Sequence, residues 1–497
     1  MDRHGYNIEN AENLPPTAAT TTVAADNDVT RSRSEQAQRL LLKMDFTIVP
    51  MLACSFFIAY LDRNNIGNAR VMGMQKDLHL TDKQFFNCLS MFYVGYLTFM
   101  LPSNLAMRVI SPPKMIGTAI IFFGICTLCL AATKKYAAIL VLRVLNGSGQ
   151  AFVQVAFLYF SIWYKRSEVA TRAAMYYTPA TISGCLSGLI AYGVDKNLRD
   201  TSKLLSWQWL FITEGAPSLV VGVFLFFFLP PFPEQLKKAN WIFNREEIKI
   251  AVQRTIEANN QPNARIVRKQ IWAGLRDPKA YFTAVIHGAV VLGITSINCF
   301  LPTFILAFGF GPLETQLFSM IPYGVATVSL VTVCLLSDRV NSKGPVLLLC
   351  LATSGIGYII LMATTNKVAL IAGACLVTLG IFPGGILNVA WININHGGYT
   401  KRSTAWAMAQ VTGNACGIVG TQVYRDPPRF LAGHGTLLGS LVLAIGATVT
   451  NYLWMKTANR KKEESVMKWR NEGRENPNRN KTYEELLDYH PDFKYIL

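Results

Sequence analysis

Apolar residues gather into twelve runs separated by short polar breaks. They fall at about 46–70, 84–106, 113–132, 136–160, 173–194 and 207–229, and again at about 280–303, 314–336, 345–363, 368–394, 404–424 and 435–456. Each is close to the roughly 20 residues a helix needs to cross a hydrocarbon core about 30 Å thick. Backbone groups in lipid must satisfy one another, so runs of this length predict helices. Six runs, a polar gap and six more predict an all-α membrane protein with twelve transmembrane helices in two six-helix bundles, 44–229 and 279–456. The polar N-tail, 1–43, is expected to be disordered, and the charged C-tail, 457–497, exposed. The linker, 230–278, carries Ile248, Val252 and Ile256 at every fourth position among basic residues, which reads as an amphipathic helix lying on a membrane surface.

The two halves echo one another. Ala180, Gly184 and Gly188 in span five are matched 229 residues later by Ala409, Gly413 and Gly417 in span eleven. At the same offset Ser90-Met91 and Gly95 meet Ser319-Met320 and Gly324. Small residues at every fourth position let helices approach closely in lipid. Their recurrence implies two parallel six-helix repeats with Gly184, Gly188, Gly413 and Gly417 as packing faces, the organisation of a two-bundle transporter.

Composition narrows the class. Of 497 residues 51% are hydrophobic and 15% charged, against roughly a quarter charged in soluble proteins. The net charge of +17 lies mostly in short loops on one side, among them Lys114, Arg172, Arg339, Lys343, Lys401 and Arg402, together with the linker. The positive-inside rule places that side, and both termini, in the cytosol, so the charge reads as topology and not as nucleic-acid binding. With no signal-peptide core ahead of it, span one is expected to serve as the targeting signal. All ten cysteines fall inside apolar runs, which excludes a disulfide framework and yields no metal-ligand cluster; Cys126 and Cys129 read as ordinary buried thiols.

Few charges enter the runs. Asp62 and Arg63 lie about 24 Å along a helix counted from Phe46, still within the membrane core. Alternatively, span one ends at Tyr60 and the pair forms its solvated cap. Arg143, Asn146, Gly147, Gln150 and Gln154 make one polar stripe on span four, with Arg143 about 9 Å below the outer surface. Two buried cations at one depth suggest an anion site; an Asp62–Arg143 structural ion pair is the other reading. Glu214 in span six is either a proton carrier or a hydrogen-bonded structural acid. In the second half His287, Thr295 and Asn298 share one stripe, and Asn388, Trp391 and Asn395 another, suited to neutral hydrogen bonding and stacking.

At these residues the chain resembles the major facilitator superfamily, within it the anion:cation symporter family, and there the fungal allantoate and nicotinate permease-like branch. The motifs are Tyr60-Leu-Asp62-Arg63-Asn64-Asn65-Ile66, Arg143-x-x-Asn146-Gly147, Trp207-Gln-Trp209-Leu-Phe, Phe300-Leu-Pro302-Thr303, Ser337-Asp338-Arg339, Ala432-Gly433-His434 and the C-terminal Asp492-Phe493-Lys494-Tyr495. The resemblance implies twelve helices, alternating access and proton-driven uptake of organic anions, with Asp62, Arg63 and Arg143 in binding or coupling. One departure stands out: relatives commonly carry an acid where this chain has Gln150. Span five has Thr178-Pro179-Ala180 in place of the Gly-Pro pair that marks drug/proton antiporters.

The expectation is a monomeric plasma-membrane importer of a small carboxylate nutrient or vitamin, coupled to protons, with no cofactor, metal or enzymatic activity. Arg63 and Arg143 hold the carboxylate, and Asn64, Gln150, His287, Asn298, Trp391 and Asn395 shape the rest of the site. Asp62 or Glu214 takes the proton. An exporter of a secondary metabolite or drug, and a non-transporting nutrient sensor, are the alternatives.

Overall fold

A computed structural model describes residues 16–107, 110–154, 156–164, 166–198, 203–236, 239–258, 268–472, 486–491 and 493–497. Asp492 and the Ile256 side chain, singled out above, lie outside the described residues. The first half comprises α1 (Pro16–Val71), α2 (Met74–Asp77), α3 (Asp82–Ala106), α4 (Pro112–Ala131), α5 (Tyr136–Gln154), α6 (Ala156–Trp163), α7 (Arg166–Leu198) and α8 (Ser206–Phe228). The linker holds α9 (Arg245–Ala258) and α10 (Arg268–Leu275). The second half follows with α11 (Pro278–Ala307), α12 (Pro312–Val340), α13 (Gly344–Ala363), α14 (Lys367–Asn395), α15 (Tyr399–Gly420) and α16 (Leu431–Asn471). Among the described residues there is no strand, and nine helices are long and apolar enough to cross a membrane. Completing the expected twelve, α3, α7 and α15 have 25, 33 and 22 residues, each at least the length a bilayer core demands.

Local chemistry sets the boundaries. Gly73, with φ of 101°, ends the first helix in a left-handed turn that a side chain would resist. Asp277 caps α11 by accepting from the Lys279 amide, with Pro278 at the first helical position, and Asn366 caps α14 likewise through Val368.

Close packing without side chains joins neighbours inside each bundle. A Cβ added at Gly95 would lie 2.1 Å from the Val144 carbonyl, and one at Gly147 2.0 Å from that of Phe92, so α3 and α5 touch backbone to backbone. Gly380 does the same against Cys350, also at 2.0 Å, between α14 and α13. Across the bundles, Gly184 faces the Tyr323 ring at 2.4 Å and Gly188 the Gln316 carbonyl at 2.7 Å. Their sequence echoes pack differently. Gly413 meets His287 of its own bundle at 2.7 Å, Gly417 meets Thr295 and Tyr93, and Gly324 has nothing within 4 Å, where Gly95 is tightly enclosed.

The described hydrogen bonds between the bundles run from mid-helix to the end away from the linker. Thr327 donates to Thr181 at 2.9 Å, Gln316 to the Asn68 carbonyl at 3.4 Å and Gln422 to Ser90 at 2.7 Å, where Ser90 also meets Thr421 at 2.7 Å. Beyond this seam a cavity of about 560 Å³ opens between the bundles, lined by Arg70, Lys76, His79, Phe86, Tyr424 and Arg425 among others.

Three expectations are corrected. The N-tail is helical from Pro16 and continuous with span one, and at the junction Leu40, Met44 and Ile48 repeat every fourth residue and are buried in the first bundle's core. The described part of the linker's apolar face, Ile248 and Val252, packs on protein. Phe243, Ile248 and Ala251 join that same core, Phe243 stacks on Trp163 at 5.2 Å, and Lys43 pairs with Glu247 at 2.9 Å. The C-tail is not uniformly exposed: α16 runs on to Asn471, and residues 486–491 and 493–497 return to the second bundle.

Candidate functional site

Span one continues past Tyr60 as helix, and Asp62 is buried, so the solvated-cap reading falls. Each Asp62 oxygen is met by neutral donors. Thr127 of α4 donates to Oδ1 at 2.6 Å and Asn146 of α5 at 3.2 Å, while the Gln150 amide donates to Oδ2 at 2.7 Å. Gln150 is also a bridge, because its Oε1 accepts from Arg63 Nε at 2.8 Å. A carboxylate at that position would lack the donor that Asp62 uses, so the glutamine rewires the site: one amide joins the acid to the cation.

Arg63 lies in an aromatic cage. Its guanidinium carbon is 4.8 Å from the ring centre of Tyr60, 5.1 Å from Phe92 and 4.9 Å from Tyr96. Desolvated contacts of this kind hold a cation without neutralising it. Arg143, from α5, is fully buried, and its Nε and Nη2 have no hydrogen-bond partner. Asp62 attracts Arg143 electrostatically, but its oxygens take the neutral donors and Arg143 Nε and Nη2 bond to neither, so a hydrogen-bonded Asp62–Arg143 pair through those nitrogens is not the arrangement found. The two arginines share one small cavity with Ile66, Tyr93 and Cys299 of the opposite bundle, and about 10 Å³ remains there, room for about one water. A larger ligand enters only when the bundles part. Gly147 explains how α5 comes near enough: with no side chain it rests on the Phe92 carbonyl, which sets Arg143, Asn146 and Gln150 against α1 and α3.

Glu214 of α8 is buried with both carboxyl oxygens unpartnered. Asp62 is near enough to act on it electrostatically. An isolated buried carboxylate is costly, so the hydrogen-bonded structural acid is not what is found. Asn64 and Asn65 are also buried with both side-chain polar atoms free.

The second-half candidates divide. Asn298 accepts from Tyr323 at 3.1 Å, and its carbonyl lies 3.4 Å from a Cβ built on Gly67, which places it at the seam beside span one. His287 packs against Gly413 and, edge-on at 5.4 Å, against Trp406, away from the arginines. Asn388 donates to the Thr283 carbonyl at 3.1 Å inside its own bundle. Trp391 and Asn395 serve another purpose: both donate to the Ile496 carbonyl, at 3.0 and 2.9 Å, and Asn395 Oδ1 accepts from the Ile496 amide at 2.9 Å. They grip the C-terminal segment and do not join the arginine site.

That segment brings an ionic cluster which the sequence reading missed. Lys279 and Lys401, 1% and 0% exposed at the linker-side ends of α11 and α15, pair with Asp488, and Lys401 also meets Asp277 at 2.7 Å. Burial pushes the Asp488 carboxyl up, but Lys279 and Lys401 outweigh it and hold the group at about 2. His396, just past α14, is pushed down to about 4 by burial and by Lys279. Lysines at span ends read as topology signals, which hid this pairing. Thr127 and the cage aromatics were missed because a threonine or tyrosine in an apolar run carries no mark of its partner. The four-residue spacing of Phe92 and Tyr96, one face of span two, was the available signal for the cage.

Comparison with known proteins agrees with the fold. The sequence model of the Major Facilitator Superfamily matches residues 52–421. The chain is 33% identical over 440 residues, 88% of this chain and 90% of the other, to an uncharacterised transporter of Schizosaccharomyces pombe. It is 30% identical over 480 residues, 96% of this chain and 88% of the other, to the high-affinity nicotinic acid transporter of Saccharomyces cerevisiae. Among solved structures, an inward-facing bacterial homologue of the human lysosomal transporter Spinster superposes with a TM-score of 0.62 at 12% identity, over 82% of this chain and 96% of that one. Two six-helix bundles, a polar site at their seam and these likenesses converge: the chain is a multi-pass membrane transporter of the Major Facilitator Superfamily.

Proposed function

We propose that this transporter imports a small organic anion, a carboxylate nutrient or vitamin, by proton symport and alternating access. The observation that carries the reading is Arg143: a buried guanidinium whose Nε and Nη2 make no hydrogen bond, beside a caged Arg63, offers two free donors to an anion. A carboxylate presents two oxygens to such a fork. The named yeast relative makes nicotinate the first compound to test. Asn64, Gln150 and Asn298 border the carboxylate's position in this scheme, and the unpartnered Glu214 carries the proton, with Asp62 held by neutral donors as the fixed charge between it and Arg63. The described hydrogen bonds between the bundles lie between mid-helix and the end away from the linker, and in this scheme alternating access breaks and remakes that seam. In this scheme the linker side and both termini are cytosolic, the protein resides in the plasma membrane, and a single chain suffices. Uptake of labelled carboxylate by Arg63→Ala and Arg143→Ala, at normal surface expression, tests the reading. Loss in both supports it, and wild-type uptake in both overturns it.

A further inference from the structure

At the linker-side end of the second bundle two buried lysines meet one carboxylate, that of Asp488. Lys279 and Lys401 each take one oxygen of Asp488, Lys401 at 2.5 Å. With Asp277 the cluster balances two lysines against two aspartates, all buried. Take away Asp488 and two desolvated ammonium groups share one acid, an arrangement that leaves a buried cation uncompensated. Leu497 is held as well: its carbonyl oxygen accepts from the Lys343 amide at 2.7 Å and from Ser342 Oγ at 3.0 Å, at the start of α13. A helix start offers N–H groups without intrahelical partners, and here a carbonyl of this very chain is seated on one of them.

Between these anchors the segment is read along its backbone. Asn459 exchanges two hydrogen bonds with Tyr495, both at 2.9 Å, Lys462 donates to the Asp488 and Phe493 carbonyls at 2.6 and 2.8 Å, and Trp391 and Asn395 hold Ile496. Gly397 has no room for a side chain, since a Cβ there would lie 2.4 Å from the Asp488 amide. We propose that this end of the bundle is a docking site for a carboxylate-bearing peptide, that residues 486–497 are its resident ligand, and that its occupancy is needed for turnover. The docked segment ties the ends of α11, α13, α14, α15 and α16, so the second bundle moves as one body; undocked, those ends move separately. Asp488 is a positioning residue, remote from Arg63 and Arg143, and the proposal does not depend on which anion they bind.

A fluorescent synthetic peptide of residues 486–497 tests the docking, titrated onto the purified chain truncated after Glu485 and compared with the same peptide carrying Asp488→Asn. Saturable binding of the first, weakened about tenfold or more in the second, is expected; equal binding of both, or of neither to a folded truncated chain, overturns it. Should the truncated chain fail to fold, full-length Asp488→Asn and the charge-balanced Asp488→Asn/Lys401→Met answer instead. The single variant is expected to lose thermal stability and transport turnover about tenfold with KM changed less than about twofold, and the double variant to regain most of both. Wild-type turnover and stability in the single variant, or no recovery in the double, refutes the proposal.

Discussion

Arg143→Met separates a ligand-binding arginine from a structural one. The guanidinium is fully buried, and two of its N–H-bearing nitrogens have no partner. Hydrogen bonds to a charged group contribute about 1.5–3 kcal/mol each, so two made to an incoming carboxylate are worth about 3–6 kcal/mol. At about 1.4 kcal/mol per tenfold, anion affinity falls by about a hundredfold or more in the variant. Stability goes the other way. A buried charge whose N–H groups lack hydrogen-bond partners is costly, so an apolar side chain of similar reach is expected not to destabilise the fold. The assay pairs thermal unfolding in detergent with equilibrium binding of a labelled monocarboxylate on the same preparation. The reasoning predicts an unchanged or raised melting temperature with lost binding. A variant that binds like wild type, or one that is destabilised by several kcal/mol, refutes it, the latter by showing that Arg143 is held in an internal pair.

Other outcomes follow from the same geometry. In Gly184→Ala the new Cβ would lie 2.4 Å from the Tyr323 ring, so the seam must loosen; alkylation of Cys299, 5% exposed in the site wall, is expected to speed up by mass spectrometry, and an unchanged rate contradicts the contact. Glu214→Gln is expected to keep anion exchange but abolish stimulation of uptake by an inward proton gradient; retained stimulation assigns the proton elsewhere. Asp488 is held at about 2, below its ordinary 3.8, so its contribution, about 2 kcal/mol, is full above pH 4 and lost as pH falls toward 2. Wild type and Asp488→Asn should therefore differ in thermal stability at pH 6 and converge near pH 2. A gap that persists at pH 2 rules out the ion pairs as its source.

Much of the architecture was legible because lipid makes few demands and makes them everywhere. Run length alone marked the two sets of six, and charges inside a run marked Asp62, Arg63, Arg143 and Glu214, all of which the structure buries or cages. What a periodicity leaves open is the partner. Gln150 reads as a lost acid in sequence, yet its amide joins Asp62 to Arg63, a role that depends on α5 resting against α3 through Gly147. Trp391 and Asn395 share a polar stripe as expected, but a stripe does not say what covers it, and the answer is a segment more than 100 residues downstream. The matched glycines show the same limit: identical spacing in both halves, with Gly184 facing across the seam and Gly413 facing inward.

The central claim is that two buried arginines select a carboxylate. Its most direct test is uptake by wild-type proteoliposomes of a labelled monocarboxylate and of its neutral amide, with and without an inward proton gradient. The account predicts gradient-stimulated uptake of the acid and none of the amide. Equal uptake of both, or of neither by an otherwise active preparation, would contradict it.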